Sequence, residues 1–246
     1  MKNLFIAIAL LVTTLVVQAQ NEEVRNLPSF DQISVGESIK LIIEKGNKNS
    51  ARVEASGVDV EKVLTEVSGS SLKIHMDRGN FWRTDVSVYL TYKDDPSSVR
   101  VSSSASLKGK SLVKTDEMLV KVSSSGKVEL NVQANEVEVD ASSSGRAMLG
   151  IDTDNLYVGV SSSGKVELQG NADYQKFKVS SSGRLQAFDL QSEKVNGDIS
   201  SSGSAEVSVS KELIADASSS GKIYYRGNPD KVITDSSSSG KIRRSN

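Results

Sequence analysis

The chain has 246 residues, with 30 basic and 31 acidic side chains, a formal net charge of −1, no cysteine and a single histidine. Such a balance excludes the basic excess that general nucleic-acid binding needs. The missing cysteines exclude disulfides and a lipid-attachment site near the start, and one histidine without partners is not a metal centre.

The chain opens with "MKNLFIAIALLVTTLVVQAQ", in which Lys2 precedes an unbroken apolar run from Leu4 to Val17. Small residues at Val17 and Ala19 predict a secretory signal peptide over residues 1–19, too short to span a bilayer comfortably. Its removal would take Lys2 away and leave the remaining chain, 20–246, one charge more negative. No second long apolar segment follows, so the exported chain is expected to lack a membrane-spanning helix.

Residues 20–101 alternate apolar and polar in "FDQISV", "SIKLIIEKG", "ARVEAS", "SLKIHM" and "DVSVYLTY", which predicts strands. They are expected to form an irregular β cap over the region that follows. Within them, "HMDRGNFWRTD" (75–85) carries the sole His and sole Trp. Phe81, Trp82 and Arg83 there are a candidate binding platform for a sugar or protein, set against a plain packing role for the aromatic pair. His75 alternates with Ile74 and is expected to face outward.

Residues 102–246 repeat. "SSSG" begins at Ser123, Ser142, Ser161, Ser180, Ser200, Ser218 and Ser237, after "SSSA" at Ser102. A period of about 19 with two-residue alternation predicts an all-β fold, a β-helix with one coil per repeat. In register, Val122, Ala141, Val160, Val179, Ile199 and Ala217 form one apolar column, and Val128, Ala147, Val166, Leu185, Ala205 and Ile223 another. Coils stacked about 4.8 Å apart would share this interior, which no single coil could bury. The stacked serines are expected to exchange hydroxyl hydrogen bonds, and the glycine to supply the backbone freedom of a corner. A row of nucleophilic serines is set aside because the repeats contain no base to activate them. The final "GKIRRSN" is expected to close the far end.

Just after each glycine stand Lys127, Arg146, Lys165, Arg184, Ser204, Lys222 and Lys241. Six cations of seven make a candidate linear site for an anionic polymer, or else a solvated face eased by Glu129, Glu167 and Glu206 two positions on. Asp198, Asp216 and Asp235 form a short acidic ladder, a weak cation site or again a solvated face. No calcium-loop spacing accompanies it.

Three pieces carry a family resemblance: "RNLPSFDQISVGESIKLIIEKG", the serine/glycine repeat, and "GKIYYRGNPDKVITDSSSSGKI". Over about residues 25–243 the chain resembles the putative auto-transporter adhesin, head GIN domain family of exported bacterial proteins. The resemblance implies a right-handed, single-stranded β-helix at the envelope or outside the cell, and carries no catalytic residues or cofactor. The family turn is commonly SGSG followed by an acidic or small residue, whereas here it is SSSG followed by Lys or Arg. A membrane barrel, which a complete autotransporter needs, is not expected in this chain.

Three functions fit: a non-catalytic adhesin-like binder of polysaccharide or surface protein, an envelope-structural protein without a ligand, and a polysaccharide-active enzyme. The enzyme needs carboxylates converging in one groove, and the charged columns look evenly spread. The expectation is therefore a non-enzyme.

Overall fold

The computed structural model describes residues 21–79 and 83–245. Residues 1–19, where a signal peptide is predicted, and the tip Phe81–Trp82 lie outside the described residues. Apart from one 3₁₀ turn at Val60–Lys62, the regular structure of the described residues is β-strand. The repeats form a parallel β-solenoid. Its long strands are β11 (Lys127–Ala141), β12 (Arg146–Val160), β13 (Lys165–Val179), β14 (Arg184–Ile199) and β15 (Ser204–Ala217), which follow ten shorter ones. The last full coil is split into β16 (Lys222–Arg226) and β17 (Lys231–Ser236), and β18 (Lys241–Arg244) starts a further one stacked on β16.

The register is the one that the repeat predicts. Lys127 stands beside Arg146, Arg146 beside Lys165, and Lys165 beside Arg184. The apolar columns are buried from Val122 to Ala217 and from Val128 to Ile223, each larger side chain contributing roughly 1.5–3 kcal/mol on burial. Large and small residues alternate where coils meet: a Cβ on Gly197 would lie 2.1 Å from the ring of buried Phe177. In the last coil the inward positions turn polar at Thr234 and Ser236, while Val232 stays 46% exposed.

The corners work differently from expectation. The glycine does not supply the unusual dihedrals; the second and third serines do, with φ of 47° at Ser124 and 62° at Ser125, and a closely similar pair at every serine corner. Gly126 N–H donates to Ser123 O at 2.8 Å, so two left-handed residues sit at the centre of a tight turn, as in type I′. Glycine is required for space. A Cβ on Gly145 would lie 2.6 Å from Val122 O in the preceding coil, and one on Gly164 would lie 2.5 Å from Ala141 O. The expected hydroxyl ladder is replaced by a backbone one: Ser125 N–H donates to Ser143 O at 3.0 Å, and Ser144 N–H to Ser162 O at 3.1 Å. The corner hydroxyls make no side-chain hydrogen bond among the described residues, and the second and third serines of each corner are exposed.

The region 20–101 does more than cover an end. It contributes β1 (Asn21–Asn26), β2 (Gln32–Val35), β3 (Lys40–Lys45), β4 (Ser50–Ser56), β5 (Val63–Ser68), β6 (Ser71–Met76) and β7 (Asp85–Tyr92). β8 (Ser98–Val101), β9 (Ser106–Lys114) and β10 (Glu117–Val122) lead into the long strands. β2 pairs in parallel with both β6 and β8, and β3 with both β7 and β9. The first coil in sequence therefore lies second in space, between β6–β7 and β8–β9. The covering layer is antiparallel, β4 on β7 and β5 on β6, with β1 outermost on β4. Arg25 fastens it, donating to Val60 O at 3.0 Å, to Val63 O, and to Glu23 at 2.9 Å.

This packing makes the two corner positions respond oppositely to substitution. Gly145→Ala should cost about 1–3 kcal/mol in denaturant unfolding by overpacking the corner. Ser144→Gly should be neutral or stabilising, because it relieves a left-handed dihedral worth roughly 1–2 kcal/mol; the reverse ranking would return the strain to the glycine. Tyr92 is fully buried, and its hydroxyl lacks a hydrogen-bond partner among the described residues. Burial, with Asp95 nearby, pushes its pKa up to about 12. Since the folded pKa is the raised one, the stability from neutral Tyr92 is complete below pH about 10 and is lost as pH rises toward 12. Tyr92→Phe should keep or raise stability at pH 8 and flatten that alkaline loss in a pH series of thermal melts.

Candidate functional site

Each corner turns the chain onto a new face, and the residue that starts the next strand points outward. Repetition stacks these residues into one column: Lys127, Arg146, Lys165, Arg184, Ser204, Lys222 and Lys241 are neighbours in that order. Beside it run the two columns of exposed corner serines. Together they form a ridge of hydroxyls and cations along the solenoid, repeating at about 4.8 Å.

Part of the ridge is neutralised. Lys165 pairs with Glu167 at 2.5 Å. Lys127, Arg146, Arg184, Lys222 and Lys241 have no carboxylate within ion-pair distance among the described residues. The neighbouring face carries mixed signs: Lys121 pairs with Asp140 at 3.3 Å and Lys178 with Asp198 at 3.8 Å. Asp198, Asp216 and Asp235 are adjacent as expected, but no metal-ligating cluster of three groups forms among the described residues.

The loop candidates do not join the ridge. Phe81 and Trp82 lie outside the described residues. Arg83 is exposed with φ 58°, and its carbonyl abuts Gly57, where a Cβ would lie 2.7 Å away. It sits at the β6–β7 corner, three coils from Lys127. The loop base is tied by Lys62 to Asp77 at 2.9 Å, and this bond, with the Arg78 N–H, holds the Asp77 carboxyl below its ordinary range. His75 is half-buried, with Nε2 3.1 Å from Glu66 and Nδ1 3.0 Å from Met76 O.

Two features escaped the sequence reading. "VGESIKL" (35–41) builds a ninth corner, with φ of 59° at Glu37 and 64° at Ser38, and it sets Lys40 at the head of the basic column beside Ser106. Its match to "VSSSGKV" was the available signal. Lys40 is held by Asp85 at 2.7 Å. The second is a bulge in β14, where Phe188, Asp189 and Leu190 have no partner in β15 between Ala187 and Gln191. It gathers carboxylates that the columns alone had shown as evenly spread.

Comparison with known proteins places the fold. The family profile described as "Putative auto-transporter adhesin, head GIN domain" matches residues 29–150 and 142–229. A structure of a "putative adhesin" from Parabacteroides distasonis is 21% identical, covers 92% of this chain and 97% of that one, and gives a TM-score of 0.83. A "putative adhesin" from Parabacteroides merdae is 20% identical over 92% and 96%, with a TM-score of 0.84. A "putative lipid binding protein" from Parabacteroides distasonis is 26% identical over 92% and 97%, with a TM-score of 0.80. No match is found among curated proteins. With both profile matches spanning most of the solenoid, the chain belongs to the auto-transporter adhesin, head GIN domain family.

Proposed function

We propose that the protein is a non-catalytic, exported, adhesin-like binder whose working surface is the corner ridge, and that its ligand is an acidic polysaccharide lying along the solenoid axis. The observation that carries this reading is the register, which puts Lys127, Arg146, Lys165 and Arg184 on four successive coils. Like charges at strand spacing repel one another, each near pair costing about 1 kcal/mol in water. A chain of anions laid over them removes that repulsion along its whole length. The exposed serine hydroxyls alongside offer donors and acceptors to sugar oxygens. The apolar run Leu4–Val17 supports export. No helix among the described residues is long and apolar enough to cross a membrane.

The names of the similar structures agree with a binding role. One of them is called a lipid binding protein. In this chain the interior columns are filled by buried side chains, so the outer surface is where a ligand would lie.

The test compares the chain from Gln20 onward with a variant carrying Lys127→Glu, Arg146→Glu, Lys165→Glu and Arg184→Glu, after circular dichroism shows an unchanged fold. Acidic polysaccharides should bind the parent, more weakly as salt rises, and should lose at least tenfold in affinity for the variant. Binding that ignores both salt and the variant would move the site off the ridge. No binding by either protein would leave the structural reading.

A further inference from the structure

On the face that follows the ridge, the coils enclose a groove of about 560 Å³. It runs from Gly109 on β9 across β11–β14 to Glu206 on β15 and Arg226 on β16, seven coils or roughly 29 Å. Three structural devices shape it. The β14 bulge is longer than the facing stretch of β15 and carries Phe188 and Asp189 at the groove wall. Buried Ser208 donates to Phe188 O at 2.7 Å and pins the bulge. Arg226, at the end of β16, lays its guanidinium over the Phe188 ring at 4.0 Å. Bulges of this kind re-aim side chains beside functional sites.

The polar lining selects a ligand class. Glu129 is taken by Lys108 at 2.7 Å and Glu167 by Lys165 at 2.5 Å. That leaves Asp189 and Glu206 as acceptors, Arg226 as a donor held flat on an aromatic ring, and the amides of Asn131, Gln169 and Gln186, each both donor and acceptor. An anionic polymer would meet the carboxylates, and a cation would meet Arg226. A hydroxylated, uncharged ring suits both, since each hydroxyl donates to a carboxylate and accepts from a guanidinium or amide. The half-buried Phe188 offers the apolar wall against which the C–H face of such a ring can rest.

We propose that this groove binds a neutral oligosaccharide strand, with one ring seated at Phe188, Asp189 and Arg226. The site is separate from the ridge and takes a ligand of different charge, so either can fail alone.

The test titrates the chain from Gln20 onward with cellotetraose, maltotetraose, mannotetraose and chitotetraose, by calorimetry and ligand-observed NMR. Four proteins are compared: parent, Phe188→Leu, Asp189→Asn and Arg146→Glu. Phe188→Leu keeps apolar bulk in the bulge, and a thermal melt within a few degrees of the parent confirms its fold. At least one tetrasaccharide should bind the parent with no salt dependence. Its affinity should fall at least tenfold for Phe188→Leu and Asp189→Asn, and should be unchanged for the ridge variant Arg146→Glu. No binding of any of the four sugars at millimolar concentration would overturn the proposal. So would equal affinity for the parent and both groove variants.

Discussion

At each corner one coil rests directly on the backbone of the one before it, and the whole stack depends on that contact. At most SSSG corners the carbonyl of the residue before the preceding coil's serine triplet occupies the space that a Cβ on the glycine would need: Val122 O under Gly145, Ala141 O under Gly164. The closeness lets Ser142 N–H reach Val122 O at 3.0 Å and Ser161 N–H reach Ala141 O at 3.0 Å. The chain turns there at two positions, both in left-handed dihedrals as in a type I′ turn. Serine tolerates them less well than glycine does, at roughly 1–2 kcal/mol per residue. The backbone bonds between adjacent corners offset that strain, and each coil is ordered by its neighbours.

Because the corners are fixed, every outward column is fixed too. Residues at one position of the repeat stand in a straight line down the molecule, as Lys127 through Lys241 do with Ser204 among them. The same regularity fills the interior, where Phe177 finds room only because Gly197 lies beside it in the next coil. Departures from regularity are concentrated on one face. There Gly170, with φ of 112°, passes close to Ile151 O, and the β14 bulge opens the groove beside it.

Much of this was legible in the residues. The alternation around each serine block identified the strands, and the even recurrence of the blocks set the stacking and hence the basic column. The role of the glycine was not legible, since a glycine needed for room and one needed for its dihedrals look alike in a sequence. The order of the first coils was not legible either. That β2 lies between β6 and β8 depends on pairings between positions far apart in the chain, Gln32 with Ser71 and with Ser98, which no local pattern encodes. The Phe188 bulge left a trace in the serine blocks. The step from Ser180 to Ser200 is one longer than that from Ser161 to Ser180, and the step from Ser200 to Ser218 is one shorter. A step length does not say which side chains the extra residue turns outward.

That pair of unequal coils has a consequence for how such a chain can change length. Coils of equal period, such as β12 and β13, are interchangeable units, and gaining or losing one alters the rod by about 4.8 Å while leaving the faces continuous. β14 and β15 are not interchangeable with them, because the long coil and the short one compensate each other through the register break at Ala187 and Gln191. They behave as a single inseparable module within an otherwise extensible rod. Growth or shrinkage by duplication is then confined to either side of that module.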